Sequence, residues 1–325
     1  MNVAEIREHV RSGGLLSQAG REHGAVVAML SGGRDSVCLL DIAVALCGSE
    51  RVRALHVNYG LRAAESDEDE RHCRELCEQL GVQIEVVLAS RGAEATGNLH
   101  AWARELRYGV AGELARRLDQ ALIATGHTAT DQVETILYRL AASPGRRALL
   151  GMAASEGALV RPLLGLTRQD TAAYCTERKL AWHEDSSNES PLYARARVRN
   201  GLVKALDAVH PAAQANVLRT AELLREETEL LDALLDAELD GRANIAIERL
   251  ARLPAALRRL LVIRLAEDAG GAFVPQAGER VGEILALGAR GGRAELHVGG
   301  LVSAVIEDGE LRMVAIEPRP QRDGQ

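Results

Sequence analysis

The sequence predicts an α/β fold in which helices cover a mostly parallel sheet, followed by a smaller and mostly helical carboxyl-terminal domain. Through the first two-thirds of the 325 residues, short apolar runs alternate with amphipathic stretches of helical length. This βαβα order is typical of a parallel sheet. Beyond about residue 208 the pattern changes to long, charged segments with helical spacing, which predicts a second unit.

Four apolar runs predict the strands of the sheet, because each is short, rich in β-branched residues or alanine, and bounded by turn signals. They are AVVAML (25–30), VRALHVN (52–58), VQIEVVL (82–88) and ALIAT (121–125). Amphipathic spacing predicts helices near residues 36–47, 65–80, 98–118 and 130–142. Ligands of such folds bind at the carboxyl ends of the strands, where the helices begin.

The change in pattern also predicts the domain boundaries. We place the α/β domain at residues 1–207, a long bridging helix at 208–240 and a small carboxyl-terminal domain at 241–325. The last domain has two more helical stretches, near 254–268 and 275–288, and then short strand-like pieces between glycine-rich turns.

Composition places the chain among globular proteins. Hydrophobic residues make up 47% and charged residues 26% of the chain, and the net charge is −7. No apolar stretch approaches the roughly 18 residues of a membrane span, and the amino terminus is too polar for a signal peptide. We therefore expect a cytoplasmic protein with no membrane partner. Its five cysteines include no CxxC pair, which predicts buried thiols and neither a disulfide framework nor a zinc site.

Positive charge is concentrated in two stretches despite the acidic total. Between Arg139 and Arg168 five arginines stand against one acid, and YARARVRNGLVK (193–204) holds four basic residues and no acid. Solvated helix faces explain many such runs. Two of them in an acidic protein favour an anionic partner.

The stretch MLSGGRDSVCLL (29–40) passes abruptly from an apolar strand through Ser31, Gly32, Gly33, Arg34, Asp35 and Ser36 into a helix. Glycines in such a loop let backbone N–H groups surround an anion, to which the helix amino terminus adds partial positive charge. The loop therefore predicts a phosphate site, and a plain tight turn with a Ser or Asp cap is the alternative. It lacks the Lys-Ser/Thr ending of a Walker A loop and the GxGxxG of a dinucleotide fold.

SGGRDS resembles the SGGxDS signature of the PP-loop ATP pyrophosphatases. Further stretches occur in the order and spacing of the tRNA(Ile)-lysidine synthetases within that superfamily, over roughly residues 25–206. They are LHVNYGLRAAESDEDERHCRELCEQLGV, GNLHAWARELRYG, ATGHTATDQVETILYRL, RPLLGLTR and WHEDSSNESPLYARARVRNGLVKAL. The resemblance implies a PP-loop domain, which is Rossmann-like and of the adenine nucleotide alpha hydrolase type.

The resemblance also implies an activity. Such an enzyme uses ATP to adenylate the carbon-2 oxygen of the wobble cytidine in the CAU anticodon of tRNA(Ile), releasing diphosphate. The ε-amine of free L-lysine then displaces AMP. Mg²⁺ near Asp35 is implied as a cofactor, and the carboxyl-terminal domain is expected to recognise tRNA. Members of the family are commonly dimers, so a homodimer is compatible with the resemblance.

The same resemblance assigns roles to residues outside the loop. His127 is expected to contact the nucleotide or lysine, and Asp131 or Glu134 to bind or deprotonate lysine. Arg197 and Arg199 are expected to neutralise the adenylated intermediate or to hold tRNA phosphates. Ordinary alternatives are a capping or core histidine, a first-turn acid pair facing the helix dipole, and a solvated basic helix.

Four positions depart from the family pattern. Tyr59 stands where His is common, Thr130 replaces an acid before Asp131, and Ala196 and Asn200 replace Asn and His. Two rival functions also stay open. One is another PP-loop enzyme, such as a tRNA thiolase or a small-molecule synthetase. The other is a non-catalytic ATP-binding regulator, which would need the loop but not the residues at 127–134.

Overall fold

The computed structural model describes residues 1–17, 24–60, 64–89, 99–143, 145–183 and 194–317. The chain forms two compact units, Met1–Leu224 and Arg225–Gln325. The division falls inside one long helix, Ala213–Leu239. Each unit has its own hydrophobic core and is described separately.

The first unit is built on a six-stranded sheet. Its strands are β1 (Val26–Met29), β2 (Val52–Asn58), β3 (Gln83–Leu88), β4 (Leu122–Ala124), β5 (Ser155–Glu156) and β6 (Leu159–Val160). They lie in the order β3-β2-β1-β4-β6-β5, and all neighbours pair in parallel except β5 with β6. The predicted parallel α/β fold and its four main strands are confirmed. The short β5–β6 pair was not predicted, because each of its strands has only two residues.

Helices surround this sheet as the amphipathic spacing predicts. Among the described residues of the first unit the α-helices are α1 (Val3–Ser12), α2 (Arg34–Cys47), α3 (Ala64–Leu80), α4 (Leu99–Arg117), α5 (Ala129–Ala142), α6 (Arg146–Leu149), α7 (Arg168–Glu177), α8 (Ala194–Arg197) and α9 (Lys204–Val209). Between α8 and α9 the helix continues as a π-helical segment, Val198–Val203. The long helix Ala213–Leu239 is α10.

The core lies on both faces of the sheet, so the central strand is apolar throughout. All four residues of β1 are buried between β2 and β4, as expected for a strand covered on both faces. One core cluster includes Ile6 of α1, Leu39 of α2 and Tyr174 of α7. A second cluster includes Ala111 and Leu114 of α4. Helices α2 and α7 therefore pack in the same layer, and this positions the candidate site.

The second unit combines helices with a small antiparallel sheet. Its elements are β7 (Asn244–Ala246), α11 (Ile247–Arg252), α12 (Ala255–Gly270), α13 (Val281–Ala289), β8 (Ala294–Gly299), β9 (Val302–Glu307) and β10 (Glu310–Ala315). The strand order is β7-β10-β9-β8. The helical carboxyl-terminal region is confirmed, and the strand-like pieces of the sequence form this sheet. None of the helices among the described residues is both long and apolar enough to cross a membrane.

Candidate active site

The glycine loop connects β1 to α2 at the carboxyl end of the central strand. The hydroxyl of Ser36 accepts a hydrogen bond from the backbone N–H of Ser31, at 3.1 Å, and donates to the carbonyl of Gly33, at 2.8 Å. The Ser31 hydroxyl lies 3.1 Å from that of Ser36. The contacts between Ser31 and Ser36 thus hold the two ends of the glycine loop together. The backbone N–H groups of Ser36 and Val37 donate to the carbonyl of Gly33, both at 3.0 Å, which leaves those of Arg34 and Asp35 at the helix start to receive an anion.

The conformation of the loop explains its glycines. Gly32 has φ of +83°, in the left-handed region that side chains other than glycine rarely adopt. Its carbonyl accepts a hydrogen bond from the backbone N–H of His183, at 3.0 Å, and Gly33 forms a parallel bridge with the same residue. The His183 ring in turn lies 2.8 Å from the carboxylate of Asp69 on α3. His183 and Asp69, which are distant from the glycine loop in sequence, therefore stabilise its conformation.

Gly126, between β4 and α5, brings a second loop against the first. A Cβ atom at this position would lie 2.9 Å from both the carbonyl carbon and the carbonyl oxygen of Asp35. Because backbone atoms cannot yield as a flexible side chain can, only glycine fits here. The residues that follow Gly126 thereby begin α5 next to the amino terminus of α2.

The carboxylate of Asp35 lies at this junction. Its Oδ1 accepts hydrogen bonds from the hydroxyl of Thr171, at 2.5 Å, and from Nε of Arg34, at 3.2 Å. Its Oδ2 lies 3.8 Å from Nε of Arg168. The side chain is 20% exposed, so the carboxylate is accessible to a ligand at the loop.

Asp131 caps the first turn of α5 and faces two arginines. Its Oδ2 accepts hydrogen bonds from the backbone N–H and the hydroxyl of Thr128, both at 2.9 Å. Its Oδ1 accepts from Arg168, at 3.0 Å, and from Arg195, at 3.3 Å. Burial by itself would raise the pKa of Asp131, but Arg195 and Arg168 outweigh it and hold the pKa below the usual value. The carboxylate is therefore ionised at neutral pH.

Glu134 is the most deeply buried acid of the site, and three arginines converge on it. Arg199 donates to Oε1 at 2.6 Å and to Oε2 at 3.1 Å, so the pair is bidentate. Arg195 donates to Oε2 at 3.2 Å, and Nη1 of Arg168 lies 3.5 Å from Oε1. The Glu134 side chain has no exposed surface. Its hydrogen bond and charge raise the pKa of Arg199, against the opposing effect of burial.

The structure separates the three arginines of the segment RARVR. Arg195 and Arg199 are four residues apart, so they lie on one face of the helical segment and both reach Glu134. Arg197 is two residues from each and is exposed. This agrees with the inference that alternate positions cannot all face one ligand, and it adds Arg195 to the cluster around Glu134.

His127 lies in the short segment between β4 and α5, at the carboxyl end of β4. Its Nδ1 is 2.8 Å from the hydroxyl of Thr125, and its ring is partly buried. Burial lowers its pKa to about 4, despite the nearby charge of Asp131. The imidazole is therefore neutral at pH 7 and able to donate or accept a hydrogen bond without carrying charge.

Arg168 and Thr171 belong to the site but were not among the predicted site residues. Both lie in the first turn of α7, which packs beside α2. Arg168 was counted only as part of a basic stretch, although the quoted motif RPLLGLTR ends on it. A signal for Thr171 is absent from the local sequence, because its partner Asp35 is 136 residues away.

The structure shows the burial of the cysteines and the contacts of Tyr59 and Thr130, two of the four positions that depart from the family pattern. Cys38, Cys73, Cys77 and Cys175 are buried, and burial raises the pKa of Cys73 and brings that of Cys77 to about 12. The thiols of Cys73 and Cys77 therefore stay protonated and are poor nucleophiles, which does not favour sulfur chemistry at these positions. Tyr59 packs edge-on against Trp102, with ring centroids 5.9 Å apart. The hydroxyl of Thr130 accepts a hydrogen bond from the backbone N–H of Arg168, at 3.3 Å.

Residues 6–206 match the family described as PP-loop domain. The chain is 35% identical to a tRNA(Ile)-lysidine synthase of Dehalococcoides mccartyi over 289 residues, which cover 82% of this chain and 60% of that protein. It is 38% identical to a tRNA(Ile)-lysidine synthase of Thermus thermophilus over 253 residues, covering 75% of this chain and 49% of that protein. The chain thus matches about half to three-fifths of the length of these curated relatives.

A solved structure of a U34-tRNA thiolase from Methanococcus maripaludis, with its [4Fe-4S] cluster, shares the fold. The TM-score is 0.57 at 18% sequence identity, and the match covers 69% of this chain and 78% of the thiolase. At this identity the likeness concerns the architecture alone.

Proposed function

The chain belongs to the PP-loop domain family, and from that premise we propose that it joins free L-lysine to carbon 2 of the wobble cytidine in the CAU anticodon of tRNA(Ile). The reaction consumes ATP, passes through an adenylated tRNA and releases AMP and diphosphate. Curated relatives that carry the name tRNA(Ile)-lysidine synthase support the substrate.

One observation carries this proposal: Arg168 lies within 4 Å of carboxylates from both halves of the site. It is 3.8 Å from Asp35 beside the glycine loop, 3.0 Å from Asp131 and 3.5 Å from Glu134. The phosphate-binding loop and Asp131, the acid that would bind an ammonium group, are therefore adjacent. A two-substrate ligation needs this adjacency, whereas a regulator that only binds ATP does not.

The first half-reaction transfers AMP to the cytidine oxygen. The amides around Gly32 and Gly33, together with the amino terminus of α2, would hold the departing diphosphate. The neutral ring of His127 would contact the nucleotide without adding charge. Attack by the cytidine oxygen breaks the bond between the α and β phosphates, and the electron pair leaves with diphosphate.

Asp35 fits Mg²⁺, because this ion usually takes one or two carboxylates and completes its shell with water and substrate phosphates. Among the described residues no group of three or more His, Cys, Asp or Glu side chains could hold a metal by itself. An ion held by Asp35 would therefore share its ligands with the nucleotide. When bound, Mg²⁺ neutralises phosphate charge as diphosphate leaves.

The second half-reaction needs a lysine amine beside the activated base. Asp131 is the better ligand for the ε-ammonium, because Glu134 is fully enclosed by arginines. The lowered pKa of Asp131 keeps it ionised, which suits binding the ammonium while its proton passes to solvent. The amine nitrogen then bonds to carbon 2, and AMP leaves with the former cytidine oxygen.

The arginines take different parts in this scheme. Glu134 anchors Arg195 and Arg199, and these two arginines would neutralise the leaving phosphate of AMP. Arg197, which is exposed, would contact the tRNA backbone. We therefore keep the catalytic role expected for Arg199 and propose that Arg197 binds the tRNA substrate.

A lysine-transfer assay tests the proposal. The purified chain is incubated with ATP, Mg²⁺, labelled lysine and a tRNA(Ile) transcript that carries CAU. We expect label in the tRNA and one diphosphate per lysine transferred. The same transcript with UAU and the Asp35→Ala variant serve as controls. Binding of ATP with neither diphosphate release nor lysine transfer would instead identify a non-catalytic regulator.

A further inference from the structure

The side chain of Thr171 is buried, and its hydroxyl makes a short contact with the carboxylate of Asp35. The residue has no exposed surface, and its Oγ1 lies 2.5 Å from Oδ1 of Asp35 and 3.1 Å from the carbonyl of Arg168. A hydroxyl has one proton to donate. The contact with the carboxylate oxygen is the shorter of the two, so the proton is assigned to the hydrogen bond with Asp35.

This hydrogen bond makes the two oxygens of Asp35 unequal. Oδ1 accepts from Thr171 and from Arg34, at 3.2 Å. Oδ2 faces Arg168 at 3.8 Å, beyond hydrogen-bond distance. The carboxylate is therefore held through one oxygen, and the other stays available to a cation or ligand at the loop.

A second contact holds the two helices in register. Asp41, on the same helix as Asp35, is 2% exposed and accepts hydrogen bonds from Tyr174 at 2.6 Å and from Arg178 at 3.0 and 3.1 Å. Tyr174 follows Thr171 by about one turn of α7. Because α7 is fixed to α2 at this second point, the Thr171 hydroxyl cannot drift from Asp35 without breaking a buried charged network.

We propose that Thr171 is a positioning residue that fixes the Asp35 carboxylate for the metal-bound nucleotide. The inference rests on the proposed function in so far as Asp35 is taken to hold Mg²⁺ with ATP. Thr171 itself contacts neither nucleotide nor metal and acts only through Asp35.

Binding of a fluorescent ATP analogue tests this inference without tRNA or lysine. Affinity is measured with excess Mg²⁺ and again with EDTA. Thr171→Val keeps the shape but removes the donor, and we expect affinity with Mg²⁺ to fall about tenfold or more. With EDTA the change should stay below about twofold, and Thr171→Ser should restore Mg²⁺-dependent binding, because the serine retains the hydroxyl.

A double-mutant cycle with Asp35→Asn shows whether Thr171 affects nucleotide affinity through the Asp35 carboxylate. If Thr171 acts through the charged carboxylate, Thr171→Val should cost less than about twofold in the Asp35→Asn background. Thr176→Val is the matched control, because Thr176 lies on the same helix and its hydroxyl donates only to the carbonyl of Ala172, at 2.8 Å. Thr171→Ala repeats the test if the valine variant does not fold.

Two results would overturn the inference. One is an equal loss of affinity for Thr171→Val with Mg²⁺ and with EDTA. The other is an undiminished loss in the Asp35→Asn background. Failure of lysine transfer, with the cycle intact, would refute the proposed activity and leave the role of Thr171 standing.

Discussion

Arg199 grips the carboxylate of Glu134 with two hydrogen bonds, of 2.6 and 3.1 Å, although 65 residues separate them in sequence. The pair is asymmetric in exposure: the arginine side chain is 23% exposed and the glutamate side chain is fully buried. Arg195 and Arg168 complete the enclosure of the glutamate. Glu134 thus organises the positive charge of the site, and its removal should affect both stability and activity.

Glu134→Gln should destabilise the first unit by about 1–3 kcal/mol, because a fully buried carboxylate loses the charge that pairs it with three partly exposed arginines. Urea unfolding followed by tryptophan fluorescence measures this, since Trp102 and Trp182 are the two tryptophans of the chain and both lie in that unit. Glu222→Gln is the control: its exposed pair with Arg219 should contribute less than about 1 kcal/mol. Equal effects of the two substitutions would contradict the role given to Glu134.

Arg199→Lys should lower the rate constant of lysine transfer, with a smaller effect on the tRNA KM. Lysine keeps the charge but cannot form the bidentate contact with Glu134, so the cation loses its fixed position. We expect a loss of about 10-fold or more in kcat. Arg197→Lys provides the comparison and should leave kcat within about twofold. A kcat for Arg199→Lys that matches the wild type would refute the positional argument.

Arg197→Gln should weaken tRNA binding through the loss of one phosphate contact. The slope of log affinity against log salt concentration should decrease in magnitude by about 1. Filter binding of the transcript at several salt concentrations measures the slope. An unchanged slope would show that this exposed arginine does not contact the tRNA backbone.

Asp35→Ala should reduce diphosphate release by about 100-fold or more, the scale expected when one electrostatic contact of the transition state is lost. Asp207→Ala, which removes an exposed carboxylate, serves as the control. A diphosphate-release assay with ATP and tRNA, without lysine, isolates the first half-reaction. Wild-type release by the Asp35 variant would remove Asp35 from the catalytic site.

His127 should make stability depend on pH between about 4 and 6.5. Its pKa is lowered from 6.5 to about 4 in the folded chain, so the unfolded chain takes up the proton first as pH falls. Stability should therefore decrease by at most about 3 kcal/mol from pH 6.5 to pH 4, and His127 should add no slope above that window. His56 and His72 act in the same direction, because burial also lowers their pKa values.

The His127→Gln variant separates this contribution from those of the other histidines. Urea unfolding at a series of pH values should give a flatter curve for the variant than for the wild type. Parallel curves would show that His127 is not the group responsible.

Local patterns predicted the elements that carry the glycine loop and the acid pair. β1 was predictable because a strand buried on both faces must be apolar throughout. The start of α5 was predictable for a similar reason: Thr128 and Asp131 form a capping box within four consecutive residues. The expected adjacency of Asp35, His127 and Asp131 followed from the rule that parallel strands end at one edge of the sheet.

Arg168, Thr171 and Gly126 were missed because their contacts join distant segments. Thr171 meets Asp35 only when α7 packs against α2, and Gly126 is required only because the backbone of Asp35 lies against it. Neither condition has a periodic or compositional signature.

The sequence by itself determined the parallel α/β architecture, the phosphate-type loop and the family, since these depend on short-range patterns of apolar, glycine and capping residues. Tertiary structure alone decided which charges meet: Arg195 and Arg199, on one face of their helical segment, contact Glu134, and Arg168 joins the two halves of the site. Ion pairs act over a few ångströms in space, so their partners emerge only when helices far apart in the chain pack together.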